Sequence, residues 1–561
     1  MTAIPRADKL IAAALFAVTL AMTIAAAPLQ GINRDEAYYM EAGEDYAGWI
    51  ERTLTFKLPA PFSDASIARF WEYNHEHPPL MKVLYGLSWR LFHTCRCAED
   101  RSLHPGPARL EPGQHHRTLP LFGLESTAFR LPTMLLFAAL AALVYLFFVE
   151  VFAGNATAAR VGGITAGLLA VLQPRAFFHA QTAGFDLPVA ALWLAATYAW
   201  WRAFRPAASA PGRRPGLTVG LLWGLMLATK LQAFFLPVAL GLHWLWMAGR
   251  DRRIPNVWPI LWMAILGPLV FFATWPWLWH DPVHRVGAYL AFHLNHVHYN
   301  FEYFGTNYNH PPYPWHEPLG MLVTTAPVIL LALAGAGAII LGRSPGPRRE
   351  IGALLLVSGL VPVAVFFAGS TPIFGETKHW LATTSILAIF AGVATTALAT
   401  ALRARAAVAA ALVLVTITPA AVETIRSHPY GLSHYNALAG GAPGGADLGM
   451  NRQFWGYSVL GTMDWLSAHL PEHARLYLHD WNHDAFEIYL RERRLRADVT
   501  DAGMEDAGMR ASDAALVIHE RHFNKYEYMI WAAYGTVRPA HVLTLDGVPL
   551  VTVYTRPPAS K

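Results

Sequence analysis

Ionisable side chains stand at the ends of long apolar runs in this 561-residue chain. A carboxylate in such a place can take a proton from an attacking hydroxyl. Cations nearby can stabilise charge that develops on phosphate oxygens. Helix capping by the acids and snorkelling of the lysines are the alternative explanations for each residue taken alone. Six residues are candidates for this chemistry: Asp35, Glu36, Asp186, Lys230, Lys378 and His379.

Three further candidates lie between the first two apolar runs. Arg34 directly precedes the Asp35-Glu36 pair, and His77 and Lys82 flank a Pro78-Pro79 step. Because proline favours the first turn of a helix, His77 and Lys82 are expected near the head of a helix that starts there. All nine residues are predicted on one side of a membrane, which capping and snorkelling do not explain.

The composition predicts that lipid is the solvent for much of the chain. Hydrophobic residues make up 54% and charged residues only 14%, against about 25% charged residues in a soluble domain. The 20 Trp, 29 Phe and 21 Tyr exclude disorder, which needs low hydrophobicity. The net charge of +5 does not indicate nucleic acid as a partner, since the basic residues lie in short loops between apolar runs.

Eleven apolar runs are long enough to be membrane spans. The first is interpreted as a retained helix, not a signal peptide, because of its length and the many later runs. The block 216–248 is interpreted as two short spans that meet at Lys230. The predicted spans are 9–29, 129–149, 161–179, 185–203, 216–230, 231–248, 256–277, 318–341, 351–369, 380–400 and 406–422.

Arginine positions predict the orientation. With the N-terminus inside, every arginine-rich short loop falls on the cytoplasmic side, as the positive-inside rule requires. An odd number of spans then places three long segments outside: 30–128, 278–317 and 423–561. We therefore predict a transmembrane domain over 1–422 and a small α/β domain over 423–561, outside the cytoplasm.

The outer segments carry their own predicted elements. Residues 36–51 show the four-residue spacing of an amphipathic helix on the outer surface, and a second surface helix is expected after Pro79. In the tail, buried runs predict strands, helical spacing predicts two helices, and an Asp-Gly turn predicts a hairpin. These tail elements are strands at 474–479 and 514–518, helices at 482–495 and 525–534, and a hairpin over 543–554.

Two groups raise the question of a metal. The outer loop 278–317 holds seven histidines, and His293, His296 and His298 could bind zinc, although their spacing matches no closed motif. We favour a loop that covers the site. Cys95 and Cys97 are interpreted as incidental thiols, with a strained disulfide or half of a metal site as alternatives.

The order of the motifs resembles the GT-C membrane glycosyltransferases that use polyprenyl-phosphate sugars. The resemblance is to members of the protein O-mannosyltransferase and aminoarabinose transferase type, glycosyltransferase family 39. The resemblance covers residues 10 to about 460, and the last hundred residues match no known pattern. The matching motifs are Arg34-Asp35-Glu36-Ala37-Tyr38-Tyr39, His77-Pro78-Pro79-Leu80, Asp186, Thr229-Lys230, Pro314-Trp315-His316, Lys378-His379 and Asn436-Ala437-Leu438-Ala439-Gly440-Gly441.

The resemblance implies a role for each candidate. Asp35 would be the catalytic base of an inverting single displacement, with Glu36 beside it, and Asp186 would position donor or acceptor. His77 stands where some members carry lysine, so His77 and Lys82 compete for one lipid-phosphate contact. The remaining phosphate contacts would be Arg34, Lys230, Lys378 and His379.

The resemblance also implies the partners. The donor would be a polyprenyl-phosphate-linked sugar, and the acceptor a lipid, a glycan or a protein. We expect no metal cofactor, and we expect the chain to be integral to the plasma (inner) membrane. A transporter or flippase of lipid-linked sugars is the main alternative, and a non-catalytic scaffold is another.

Overall fold

The structure is a computed structural model. It describes residues 4–93, 119, 121–204, 215–373, 375–480 and 482–557, so Cys95 and Cys97 lie outside the described residues.

The first part of the chain forms one apolar helix followed by three helices of mixed polarity. These are α1 (Arg6–Ala26), α2 (Arg34–Leu54), α3 (Asp64–Trp71) and α4 (Leu80–Phe92). A bundle of mostly apolar helices follows. These are α5 (Glu125–Val151), α6 (Ala156–Val171), α7 (Pro174–His179), α8 (Asp186–Ala203), α9 (Pro215–Leu227), α10 (Leu236–Asp251) and α11 (Trp258–Thr274).

A second outer segment then leads into the rest of the bundle. It consists of α12 (Pro282–Leu294) and an antiparallel hairpin, β1 (Phe301–Tyr303) and β2 (Thr306–Tyr308). The helices after it are α13 (Glu317–Thr325), α14 (Val328–Arg343), α15 (Pro347–Ala364), α16 (Leu381–Ala401) and α17 (Ala406–Ser427).

The helical content and apolar character confirm an integral membrane protein. Among the described residues, six helical stretches are long and apolar enough to cross a bilayer. They are Arg6–Leu29, Glu125–Val151, Leu231–Asp251, Pro347–Ala368, Glu376–Ala401 and Ala406–Ser427. Three more apolar helices are shorter, at Ala156–Val171, Gly216–Leu227 and Trp258–Thr274, so the total of eleven spans stays a prediction.

One predicted span is wrong as a single straight helix. The run 318–341 is divided into α13 and α14, which are bent by 116°. Pro327 explains the break, because it lacks a backbone donor and forces the preceding Ala326 into the extended conformation seen there, with ψ 144°. The predicted break at Lys230 is present, since α9 ends at Leu227 and α10 begins at Leu236.

Helix α2 differs from the predicted surface helix. Most of its residues between Glu36 and Trp49 are buried, because α4 packs against it at very short range. A Cβ at Gly86 would lie 1.8 Å from the Gly43 carbonyl oxygen, so both glycines are needed for this contact. Four acidic residues of α2 are therefore internal: Glu36, Glu41, Glu44 and Asp45.

The tail confirms the predicted elements. Its helices are α18 (Gly441–Asp447), α19 (Met463–His469), α20 (His483–Arg491), α21 (Asp506–Ala511) and α22 (Asn524–Tyr534). Its strands are β3 (Arg475–Leu478), β4 (Thr500–Asp501), β5 (Ala514–Ile518), β6 (His541–Leu545) and β7 (Val548–Thr555), in the order β4-β3-β5-β7-β6. The short strand β4 and the helices α18, α19 and α21 were not predicted.

The tail packs directly on the start of α5 and on the segment before α2. The Arg491 guanidinium lies 2.6 Å from Glu125 of α5, and the Ile32 amide donates to the Tyr489 hydroxyl at 2.7 Å. The division into 1–422 and 423–561 stays a prediction, because α17 runs across it to Ser427.

Candidate active site

A cavity of about 320 Å³ opens where the ends of several helices meet. The walls come from the starts of α2 and α8, the break between α9 and α10, and the turn before α16. Seven of the nine predicted residues line it: Arg34, Asp35, His77, Asp186, Lys230, Lys378 and His379. We name it the donor cavity. Glu36 and Lys82 do not line it.

Asp35 lies in the first turn of α2, after the N-cap Asn33. Its Oδ1 is 3.6 Å from Arg34 Nε, and its side chain is 27% exposed, which leaves the carboxylate accessible from the cavity. Arg34 also donates to Asp480 of the tail at 2.7 Å. The guanidinium thus joins the acid of the cavity to the tail.

Glu36 points away from the cavity into the protein. It is fully buried, and it accepts from Arg130 at 2.7 and 2.9 Å and from the Ala183 amide at 2.6 Å. It also completes a capping box with Asn33. The sequence grouped Glu36 with the catalytic acids, but these contacts are those of a buried ion pair that fixes α2 against α5.

Asp186 and Lys230 form a second pair inside the cavity. Asp186 is the first residue of α8, and its Oδ1 lies 2.5 Å from Lys230 Nζ. Their side chains are only 8% and 15% exposed. Lys230 has an extended backbone at the α9–α10 break, which turns its side chain toward α8. Lys230, the one charged residue of the apolar block 216–248 in the sequence, therefore has an acidic partner.

Lys378 is held by aromatic rings on the third wall. Its Nζ lies 4.0 Å from the centre of the Trp455 ring and 5.4 Å from that of Phe454. Gly375 makes room for it: with φ +65°, a Cβ there would lie 2.7 Å from the lysine side chain. The neighbouring His379 Nδ1 lies 3.0 Å from the Gln232 amide nitrogen.

A buried ion pair supports the turn that carries Lys378. Arg175 donates to Glu376 at 2.7 Å, and Asn451 donates to the other oxygen of the same carboxylate at 2.7 Å. Because all three side chains are polar and buried together, the turn has little freedom to move.

His77 and Lys82, which compete in the sequence, occupy different places. Lys82 is fully buried and donates to the carbonyl oxygens of Asn74 and His77, which pins the loop. His77 faces the cavity, and its Nδ1 has no hydrogen-bond partner among the described residues. Burial and the Lys82 charge hold the pKa of His77 well below its usual range, so its ring is neutral.

The histidine-rich outer segment forms one wall of the cavity. Phe292, His293, His296 and Tyr299 all line it, and His293 Nε2 lies 3.1 Å from the Glu76 carbonyl oxygen. His298 instead contacts the Tyr313 hydroxyl at 2.8 Å. Within the described ranges, no group of three His, Cys, Asp or Glu side chains is placed to hold a metal.

Several residues that hold the candidate site residues in place were not identified from the sequence. A signal existed for Arg130, a single arginine at the start of an apolar run, and for Asp480, which directly follows a predicted strand. For Trp455 there was none, because its contact with Lys378 joins residues far apart in the chain.

Comparison with known proteins shows a family match over part of the chain and a likeness of fold. The dolichyl-phosphate-mannose-protein mannosyltransferase family matches residues 117–279. No curated protein sequence matches the chain.

The structure of ArnT from Cupriavidus metallidurans bound to undecaprenyl phosphate is similar to this one. Its TM-score is 0.51 at 15% identity, over 96% of this chain and 97% of that chain. Its apo form gives the same score and identity over 98% of each chain. An oligosaccharyltransferase from Archaeoglobus fulgidus has a TM-score of 0.48 at 12% identity, over 94% of this chain and 72% of that one. The ArnT likeness confirms at the level of the fold what the motifs predicted: the chain has the fold of a GT-C membrane glycosyltransferase.

Proposed function

We propose that the protein is a membrane glycosyltransferase. It moves a sugar from a polyprenyl-phosphate donor to an acceptor hydroxyl on the outer face of the membrane. The observation that carries this proposal is the donor cavity, where the partly exposed carboxylate of Asp35 shares a small space with Arg34, Lys230 and Lys378. An acid beside several cations suits a reaction that removes a proton and releases a phosphate.

The proposed step is a single displacement with Asp35 as general base. The acceptor oxygen attacks C1 of the sugar while Asp35 takes the hydroxyl proton. The bond from C1 to the phosphate oxygen breaks, and its electron pair stays on the polyprenyl phosphate. Lys230, Lys378 and Arg34 stabilise that charge, and C1 is inverted.

The other cavity residues position these groups. Asp186 orients Lys230 through their 2.5 Å contact. The rings of His77 and His379 can donate N–H hydrogen bonds to phosphate oxygens. We assign Glu36 and Lys82 to support of the fold. The two lysines and the arginine supply positive charge at the leaving group, so we expect transfer to proceed with chelator present.

The donor class has support from the ArnT structure. That protein has the same fold and was solved with undecaprenyl phosphate. The match of residues 117–279 of this chain to the dolichyl-phosphate-mannose-protein mannosyltransferase family supports the same kind of lipid. We therefore extend polyprenyl phosphate to this chain as the carrier of the sugar.

The direct test is release of polyprenyl phosphate by the purified full chain. The protein in nanodiscs is given a panel of undecaprenyl-phosphate sugars with lipid, glycan and peptide acceptors, and free undecaprenyl phosphate is measured. We expect release with at least one donor, and loss of release in Asp35→Asn. In vesicles that contain the protein, movement of an intact donor from one leaflet to the other without release of undecaprenyl phosphate would instead establish a transporter.

The orientation is tested separately. With the N-terminus in the cytoplasm, a reporter active only in the cytoplasm is expected to be silent when fused after Lys561. A strong signal would place the tail inside and would exclude an outer donor cavity.

A further inference from the structure

A second cavity, of about 420 Å³, lies where the tail meets the outer segment. Its walls are the β1–β2 hairpin, the segment after α18, the end of β5 and the start of α22. We name it the outer cavity. Its charged or titratable lining consists of Glu302, Arg452, His519, Glu520, Arg521 and Glu527, none of which lines the donor cavity.

Glu520 gives the clearest sign that a ligand belongs there. The residue is only 5% exposed, and its Oε1 has no hydrogen-bond partner among the residues that the structure describes. A buried polar atom without a partner is costly and rare. Burial raises the pKa of Glu520 well above its usual range, so the carboxyl is neutral and can both donate and accept. Glu520 also lines the cavity, so a ligand hydroxyl can pair with its carboxyl group.

The walls of the outer cavity are held in place without a ligand. The Gly305 amide donates to the Gly449 carbonyl at 3.0 Å, which joins the hairpin tip to the segment after α18. Arg521 donates from its side chain to the Gly305 carbonyl and from its backbone to Glu302. The Tyr554 hydroxyl fixes Glu527 at 2.6 Å. The cavity is therefore preformed.

The sheet places the outer cavity at the edge where ligands commonly bind. Strands β3 and β5 are parallel, so the residues after them, Asp480 and His519 to Arg521, lie at the same carboxyl edge. Clefts at the carboxyl ends of parallel strands are common ligand sites. Asp480 is also the partner of Arg34 in the donor cavity, at 2.7 Å, so the two cavities are neighbours.

The mixture of groups selects the class of ligand. An anion would face Glu302 and Glu527, and a small cation would face Arg452 and Arg521. A sugar hydroxyl both donates and accepts, so it can pair with carboxylates, guanidinium groups and a neutral carboxyl at once. The volume is within the range of small-molecule sites.

We propose that the outer cavity binds a neutral sugar unit of the acceptor, with Glu520 and Arg452 as its principal contacts. The assignment of this sugar to the acceptor rests on the proposed function. The binding of a sugar rests on the outer cavity alone. Glycans, or lipids that carry sugars, would then be favoured over bare peptides as acceptors.

The test is saccharide binding by the full chain in nanodiscs, free of sugar-based detergent. Saturation-transfer NMR is recorded with the methyl glycosides of glucose, galactose, mannose and N-acetylglucosamine. We expect at least one to bind, and Glu520→Leu or Arg452→Met to weaken binding by about tenfold or more. Glu520→Gln keeps a donor and an acceptor and is expected to bind nearly as the parent does.

Two controls separate this site from others. Glu472→Leu changes an exposed glutamate of the same domain and should leave binding unchanged. Lys378→Met changes the donor cavity and should also leave it unchanged. The proposal is overturned if no glycoside binds, if binding survives in Glu520→Leu and the half-buried Arg452→Met, or if Lys378→Met abolishes it.

Failure of this proposal is distinguishable from failure of the proposed function. Release of undecaprenyl phosphate reports the donor cavity, and glycoside binding reports the outer cavity. A protein that releases polyprenyl phosphate but binds no glycoside overturns only the outer cavity. One that binds glycosides through Glu520 but releases nothing from any donor overturns only the transferase.

Discussion

Asp35 and Glu36 are neighbours in sequence, but their replacement should have opposite consequences. Asp35 lines the donor cavity and is partly exposed, whereas Glu36 is fully buried against Arg130. Asp35→Asn keeps the shape of the side chain and removes the base. Glu36→Gln keeps the shape and removes half of a buried ion pair.

The magnitudes follow from these positions. Loss of a general base lowers the transfer rate by about 10²–10⁴-fold, which is about 2.7–5.4 kcal/mol of barrier. Asp35→Asn should cost only about 0.3–1 kcal/mol of stability, from its interaction with the helix N-terminus. Glu36→Gln should cost about 3–5 kcal/mol of stability, because the Arg130 guanidinium is left buried without its counter-charge.

The assays are undecaprenyl phosphate release and thermal unfolding, measured on the same preparations. Asp64→Asn is the matched control, since Asp64 also lies in the first turn of a helix but outside the donor cavity. The double variant Glu36→Gln/Arg130→Met should recover part of the stability lost in Glu36→Gln, since neither charge is then unpaired.

Two results would refute the reasoning. Near-normal transfer by a folded Asp35→Asn protein would remove Asp35 from the mechanism and make Asp186 the base. A Glu36→Gln protein as stable as the parent but inactive would mean that Glu36, not its neighbour, takes part in the chemistry.

Three further predictions concern the cations and the histidine of the donor cavity. Lys230→Met should weaken polyprenyl-phosphate binding by about 10–100-fold, as expected for a lost charge-assisted hydrogen bond. Adding Asp186→Asn should restore thermal stability without restoring binding. A double variant that binds polyprenyl phosphate normally would contradict the assignment of Lys230. Gly375→Ala should weaken the same binding while the protein stays folded, because the new Cβ would lie 2.7 Å from the Lys378 side chain; unchanged binding would show that Lys378 does not hold the phosphate. Burial holds the pKa of His77 well below its usual range, so its ring should stay neutral as the pH falls through 6.5. A step near pH 6.5 in the rate of undecaprenyl phosphate release that disappears in His77→Asn would contradict this prediction.

Much of the fold could be predicted because the signals were local. Apolar runs predicted the helices, and the Asp546-Gly547 turn predicted the β6–β7 hairpin, which forms as expected. The span 318–341 failed because hydropathy averages over a window and takes no account of Pro327. The burial of α2 was not visible either, because it depends on the contact of Gly43 with Gly86, which joins two distant segments.

For the site, the sequence identified residue types better than their partners. Seven of nine candidates line one cavity, since ionisable residues at span ends are costly and collect where they are used. Of the two that do not, Glu36 was proposed because it adjoins Asp35, and Lys82 because it was expected near the head of α4. Which of the two adjacent acids faces the cavity depends on how α2 is rotated about its own axis. The contact between Arg130 of α5 and Glu36 fixes that rotation.

The contacts of the tail bear on where the catalytic unit ends. Phe454 and Trp455 form the wall that holds Lys378, and Asp480 holds Arg34. All three follow residue 422, where the sequence suggested a domain boundary. A helical domain cut at that position would lose a partner of two proposed phosphate contacts and would expose the apolar faces that the tail covers. The donor cavity is therefore built jointly by the helical bundle and the tail, and under the proposed function the two segments act together as one unit.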